Sequence, residues 1–194
     1  MAFAKGRNEM RASIDDTASA LVQLTKEMES YYNQKVSELS AQIDNVRKDN
    51  PNEDLEVLNC MTSSIFGIRD IYDEMHLETM EMLICKVYSF AEKHLGELLK
   101  RIPMTENKAR KRLDGEGVSD IVKYYAVLHE KFNLSKSSVS EIWRDYEGFH
   151  TLRKNIVHHF DYEKKGINAN YVLSNIEQAK ELLLYVEEYS RVKE

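Results

Sequence analysis

Residues 149–162 read F-H-T-L-R-K-N-I-V-H-H-F-D-Y and form the end of a predicted amphipathic helix. At about 100° per residue, the large apolar side chains of this helix fall on one stripe. That stripe consists of Ile142, Tyr146, Phe149, Leu152, Ile156 and Phe160. Arg153 falls inside the same stripe. An arginine that is aimed at an apolar face must find an anionic partner, a cage of carbonyl groups or an interface.

The run R-K-N-I-V-H-H over residues 153–159 has the form R-x4-H from Arg153 to His158 and R-x5-H from Arg153 to His159. With the interior Asn155 and the I-V-H ending, it resembles the signature of HEPN domains. That family consists of small all-α proteins, many of which are metal-independent endoribonucleases. The resemblance covers roughly residues 139–162, and the rest of the chain agrees with the family in helical pattern and length.

The composition independently favours an all-α fold. Seven glycines and two prolines in 194 residues disfavour sheets joined by tight turns and favour long helices. We therefore expect an all-α, HEPN-like helical bundle with a long N-terminal helical hairpin. Residues 1–52 are expected to form a long helix that packs on the bundle or on a partner, and residues 53–194 to form the bundle itself.

The first predicted helix covers residues 10–48 and is ended by Pro51. Its length of roughly 55–60 Å exceeds what one compact core covers, so part of it is expected to pack on a partner helix or another subunit. Its apolar seam is predicted to contain Ile14, Ala18, Leu21, Leu24, Met28, Tyr32, Val36, Leu39, Ile43 and Val46.

Five further helices are predicted from the apolar periodicity. They cover residues 53–74, 77–101, 118–132, 139–158 and 169–191. The first of these is expected to fold back on the N-terminal helix as a hairpin, with Leu55, Leu58, Met61, Ile65, Ile68, Tyr72 and Met75 on its apolar stripe. Ser138 and Glu141 have the spacing of a capping box at the start of the helix that carries Arg153. The basic loop between residues 100 and 112 is expected to be solvated, with docking of a phosphate backbone as the alternative.

The net charge and the cysteines limit the classes of protein to which this chain can belong. The net charge of −6 argues against a general nucleic-acid coat, although it allows contact with RNA at one local site. No apolar run is long enough for a membrane span, so no membrane partner is expected. Cys60 and Cys85 lie in apolar helical patterns and are interpreted as reduced core residues of a cytoplasmic protein. No cofactor and no metal site are expected from the sequence motifs.

Arginine and histidine together suit metal-independent cleavage of RNA. Histidine can transfer protons near neutral pH, and arginine can donate two hydrogen bonds to a phosphate. Arg153 is predicted to bind and polarise the phosphate, with His158 as the acid or base and His159 as an alternative or second phosphate contact. Asn155 and Lys154 are predicted to contact the substrate, with Asn155 orienting the site. The products would be a 2′,3′-cyclic phosphate and a 5′-hydroxyl end.

The geometry of one straight helix does not bring these side chains together. His158 would point about 140° from Arg153, and His159 about 120° from it. Either the helix ends near Val157, which would redirect the histidines, or two copies face each other. The HEPN resemblance implies the second arrangement, a composite site between the protomers of a homodimer. It also implies a role in toxin–antitoxin or antiviral defence, with an antitoxin or regulatory protein as a possible partner.

A non-catalytic reading competes with the nuclease. A long helical hairpin followed by a bundle also describes a helical interaction or regulatory module, with the same face used for dimerisation or partner binding. In that case Arg153 and the histidines form interface hydrogen bonds. As a purely structural residue, Arg153 would instead pair with a core carboxylate or cap helix carbonyls. The histidines would then interact with the dipole at a helix end.

Overall fold

The computed structural model describes residues 2–100, 123–124, 126–127, 151–158 and 166–192, with side chains described from residue 9 to residue 188 of these ranges. Nearly all of these residues are helical, and the described ranges contain no strand, which confirms the all-α prediction. Three long helices are α1 (Ala2–Asp49), α2 (Leu55–Lys100) and α3 (Ala169–Val192). Residues 151–157 form a further helical segment.

Helices α1 and α2 form the predicted hairpin. The Asn50 side chain donates to the Val46 carbonyl at 2.8 Å, which satisfies one of the last carbonyl groups of α1. Asp54 then caps α2, because its Oδ1 accepts a hydrogen bond from the Val57 backbone amide at 2.9 Å. The reversal between these two caps contains Pro51, as the sequence predicts.

The hydrophobic core lies at one end of this hairpin. It joins the first part of α1, the second half of α2 and the inner face of α3. The inner face of α3 carries Val172, Ile176, Ala179, Leu183 and Val186, each fully buried as predicted from their spacing. A salt bridge of 3.1 Å from Lys180 to Asp15 also links α3 to α1. Leu152 and Ile156 of the helical segment pack against the same core.

Helix α3 begins where local chemistry favours it. Gly166 has a φ of 100°, a left-handed conformation that glycine adopts without steric strain. Two residues later the Asn168 side chain accepts a hydrogen bond from the Tyr171 amide at 3.0 Å. The predicted helix over 169–191 is therefore confirmed to within one residue at its end.

The prediction of separate helices over 53–74 and 77–101 is wrong, because α2 continues without a break from Leu55 to Lys100. No glycine or proline interrupts the sequence around residues 75–77. The apparent boundary is instead a change of surroundings. Before this point the described residues of α2 are buried or half-buried along one narrow stripe, whereas after it they are buried on several sides.

The predicted seam of α1 is also partly wrong. Leu24 and Met28 are 36% and 37% exposed, whereas the neighbouring Thr25 is fully buried. The seam that faces α2 follows a strict seven-residue pattern one position away from those two residues. It consists of Ala18, Val22, Thr25, Glu29, Tyr32, Val36, Leu39, Ile43 and Val46. Because this pattern admits polar residues, a search for apolar side chains alone missed its centre.

Cys60 is exposed, so its assignment to the core is wrong, while Cys85 is half-buried and both thiols are free. The capping box at Ser138 and Glu141 and most of the predicted helices over 118–132 and 139–158 lie outside the described residues. The same holds for the basic loop, apart from the exposed Lys100.

Candidate functional site

Arg153 lies against α2 within its own chain. Its side chain is half-buried, and its guanidinium carbon lies 4.8 Å from the centre of the Tyr88 ring. Tyr88 is 1% exposed and is one of the largest fully buried side chains of the core. A guanidinium over an aromatic face is a favourable cation–π contact. The arginine in the apolar stripe therefore has an aromatic partner, which was not expected from the sequence.

Arg153 lies close to other polar groups, but one of its own N–H groups has no hydrogen-bond partner among the described residues. Its buried Nε atom donates no hydrogen bond to any of them. Burial raises the pKa of the Cys85 thiol, the positive charge of Arg153 lowers it, and the negative charge of Glu81 raises it. The charges of Arg153 and Glu81 therefore both lie close enough to shift the pKa of Cys85, which is one turn of α2 from Tyr88. A buried N–H donor without a protein partner is a position where an anionic group could bind.

His158 lies in the turn that ends the helical segment, and its side chain is exposed. Its backbone amide still donates to the Lys154 carbonyl at 3.1 Å, so the backbone keeps helical hydrogen bonding up to this residue. The helical segment therefore ends at Val157, as one of the two arrangements expected from the sequence requires.

The remaining predicted site residues are dispersed or lie outside the described structure. Lys154 is exposed and Asn155 is half-buried, and neither has a described contact with Arg153. His159 lies outside the described residues. Within the part of the chain that the structure describes, no group of three or more His, Cys, Asp and Glu side chains is arranged to hold a metal ion.

Helices α1 and α2 extend beyond the core as a two-helix arm, here called the hairpin arm (residues 23–49 and 55–79). Its centre contains a polar layer that the sequence analysis missed. His76 Nε2 lies 2.7 Å from Glu29 Oε2, and the Tyr32 hydroxyl donates to Asp73 Oδ1 at 2.6 Å. The Tyr32 and His76 rings stack with their centres 4.0 Å apart. These contacts fix the register in which α1 and α2 pair.

Next to this polar layer, the solvent-facing side of α2 is apolar. One side of α2 exposes a series of large apolar residues that are about half exposed. We call this surface, together with three residues of α1, the hairpin stripe. It consists of Val57, Met61, Ile68, Ile71, Met75 and Met82 from α2 and Leu24, Met28 and Tyr31 from α1.

The stripe follows the same seven-residue spacing as the buried seam. Each of its residues immediately precedes a seam residue, as Met75 precedes His76 and Met28 precedes Glu29. In an antiparallel helix pair, positions that precede the seam on one helix lie on the same side as those that precede it on the other. Tyr31 accordingly lies near Tyr72, with ring centres 6.5 Å apart. The two helices therefore contribute to one continuous surface.

A buried histidine has a structural role. His94 is 0% exposed, its Nδ1 lies 2.9 Å from the Phe90 carbonyl, and its Nε2 lies 3.3 Å from the Ser13 hydroxyl. With Nδ1 as the donor and Nε2 as the acceptor, the neutral ring satisfies both nitrogen atoms. His94 therefore links α2 to α1 within the core.

Comparisons of the chain with protein-family models, with curated proteins and with solved structures find no match. The HEPN resemblance stays a prediction. None of the helices within the described ranges has the length and apolar character needed to cross a membrane.

Proposed function

We propose that this protein is a non-catalytic helical interaction module whose hairpin arm binds a partner through the hairpin stripe. The observation that carries this proposal is the exposure of large apolar residues at seven-residue spacing along one side of α2. Scattered apolar residues on a surface need no explanation, but a contiguous patch is typical of an interaction site.

The distribution of polarity in the arm supports the proposal. The seam between α1 and α2 contains Thr25, Glu29 and Tyr32 opposite Arg69 and His76, so it buries little apolar surface there. At this level of the arm, the flank that faces solvent carries the large apolar residues Met28 and Met75. Since burial of apolar area provides most of the stability of helix packing, the arm gains stability when a partner covers the stripe.

The chemistry of the stripe suits a helical partner. Its central positions Met61, Ile68, Met75 and Met82 recur every seven residues, which is the spacing that one helix presents to another. Methionine side chains are flexible and polarisable, and they adapt to the surface of a partner.

Site-specific photo-crosslinking in cells that produce the protein tests this function. A photoreactive phenylalanine at Met75 is expected to form a covalent adduct with a partner. The matched control is the same residue at Phe66, which is 38% exposed but follows a seam position and lies on the opposite side of α2. No adduct at Met75, or equal adducts at both positions, contradicts the proposal.

A metal-independent endoribonuclease is the second candidate. Its specific support is Arg153, whose buried Nε has no described partner and whose positive charge is held on Tyr88 close to the exposed end of its segment. Such a group could bind a phosphate of RNA. On a straight helix His158 points about 140° from Arg153, so this candidate uses a second copy to complete the site, as the HEPN resemblance implies.

Incubation of the protein with a mixed RNA pool in EDTA tests the nuclease. Cleavage that leaves 2′,3′-cyclic phosphate ends is expected from the parent, and a loss of at least about 100-fold from Arg153→Ala and His158→Ala. Lys154→Leu, a change at an exposed neighbour of Arg153, tests whether the predicted substrate contact adds to binding. Absence of cleavage by the folded parent, or equal cleavage by the parent and the Arg153→Ala variant, removes this candidate.

A further inference from the structure

We propose that the partner of the hairpin stripe is a second copy of this chain, packed antiparallel so that two hairpin arms form a four-helix bundle. This inference rests on the proposed function, because it names the partner of the same surface. It follows from the order of residues along the stripe, from their charges and from the area that the stripe offers.

The order of residues on α2 gives an antiparallel self-pairing with apolar layers at its centre and at both ends, and mixed layers between them. The exposed side of α2 has two sets of positions, and in an antiparallel pair a residue of one set faces a residue of the other. A twofold axis midway between residues 69 and 70 places Ile68 against Ile71 of the second copy, twice, at the centre. On either side of these layers, Met75 faces Ser64, Met61 faces Glu78 and Met82 faces Val57.

The charges favour the antiparallel orientation over a parallel one. Glu74, Glu78 and Glu81 lie in the second half of the stripe region, and its first half carries no charged residue between Val57 and Ile68. A parallel pair would place each glutamate beside its own copy, which is unfavourable. The antiparallel pair places the acidic half of one helix against the uncharged half of the other.

The residues of α1 fit the same arrangement. Hydrogen bonds pair residue 29 with residue 76 and residue 32 with residue 73, so Leu24, Met28 and Tyr31 lie level with the part of α2 between residues 74 and 81. The proposed axis brings Val57 and Met61 of the second copy to this level. Beyond Tyr31 the same side of α1 becomes polar, with Lys35 and Glu38 joined in a salt bridge of 2.7 Å.

The side of the arm that carries the stripe is large enough for a stable dimer, counting both its apolar and its polar residues. Residues 57–82 extend over roughly 39 Å of helix, and two adjacent helices present a face about 20 Å wide. The product is roughly 800 Å² per copy, which is the area that a partner contributes to a standard stable interface. Crystal contacts and weak encounter complexes bury a smaller area than this.

Light scattering and sedimentation equilibrium of the full chain at micromolar concentration test the dimer. The parent is expected at twice its chain mass of 22.7 kDa. Ile71→Glu places two carboxylates near the twofold axis and is expected to weaken the dimer at least 100-fold, with unchanged helicity by circular dichroism. Phe66→Glu, on the opposite side of α2, is the matched control and is expected to remain dimeric. A monomeric parent, or a dimeric Ile71→Glu variant, overturns the proposal.

The orientation has its own measurement, because Cys60 is exposed near the tip of the arm. In a Cys85→Ser background, spin labels on Cys60 of the two copies are expected about 28 Å apart along the bundle in the antiparallel dimer. A parallel dimer would place them side by side, within about 15 Å. A short distance therefore overturns the antiparallel arrangement.

The photo-crosslinking experiment separates failure of this inference from failure of the proposed function. An adduct at Met75 that contains a second copy of the chain supports both. An adduct that contains only a different protein overturns self-association and leaves the interaction function in place. Absence of any adduct overturns both.

Discussion

The two ends of the α1–α2 pair are built from the same two helices but are stabilised differently. At the core end, Ile84, Val87 and Leu95 are fully buried, and α3 and the helical segment cover the pair on further sides. In the hairpin arm, the pair buries the polar layer and the apolar seam residues Leu39 and Ile43. The comparison predicts that the core end is the more stable region, because burial of apolar area on several sides contributes more than burial along one seam.

The arm carries the exposed apolar residues that we propose bind a partner, whereas at the core end the large apolar residues are mostly buried. Polar contacts such as that between Glu29 and His76 specify register and add little net free energy. Apolar burial adds far more, and in the arm much of the large apolar surface faces outward. Three measurements on the isolated chain would sharpen or break this contrast.

The largest effect is expected in the core. Leu95→Ala should lower the free energy of unfolding by about 2–5 kcal/mol, because Leu95 is 0% exposed and its truncation leaves a cavity. Leu55→Ala at the start of α2 is the control, since Leu55 is 69% exposed and its loss should change stability by less than about 0.5 kcal/mol. Urea unfolding followed by circular dichroism measures both. Similar costs for the two variants would mean that the core and the arm are not distinct.

An intermediate, local effect is expected from the polar layer. Glu29→Ala and His76→Ala should each cost about 0.5–1.5 kcal/mol, and the double variant should cost less than the two single costs together. Amide exchange should become faster in residues 23–49 and 55–79, with little change between residues 83 and 99. Gln23→Ala, which removes an exposed hydrogen bond within α1, is the control. Uniformly faster exchange along both helices would contradict a separate arm.

The smallest effect is expected at alkaline pH. The hydrogen bond to Asp73, then burial, raise the pKa of Tyr32 above its ordinary value of 10.0. Because the folded-state pKa is the higher one, the stabilisation is complete below the unfolded-state pKa and is lost as the pH rises through the folded-state pKa. Thermal unfolding from pH 8 to 11.5 should show that the parent has a higher melting temperature than Tyr32→Phe at pH 8. This difference should vanish at the alkaline end of the range. A constant difference over this range would show that ionisation of Tyr32 is not coupled to the arm.

Much of the fold was predictable because helix signals are local. Pro51 and the polar residues around it predict the end of α1, and the periodicity from Val172 to Val186 predicts the buried face of α3. The continuity of α2 was not predictable in this way. A change in the position of apolar residues around residue 75 looks like a helix boundary, although it marks the place where a helix enters the core.

The candidate site was predictable only in part. Residues 151–157 are helical, and Leu152 and Ile156 pack inward as their spacing predicts. The contact of Arg153 with Tyr88 joins positions 65 residues apart, so no local pattern reports it. The hairpin stripe did carry a local signal, since Met61, Ile68, Met75 and Met82 recur every seven residues. The sequence analysis placed Met61, Ile68 and Met75 on the same predicted stripe as the neighbouring seam residues, so it did not separate the two patterns.

The sequence by itself determined that this protein is helical, that its first two helices pair as a hairpin and that Arg153 lies on an apolar helix face. The tertiary structure decided which of two adjacent apolar patterns on α2 is buried and which partner Arg153 contacts. The physical reason is that periodicity reports positions around one helix. Which of those positions is covered depends on the other helices that pack there, and so on contacts between residues far apart in the chain.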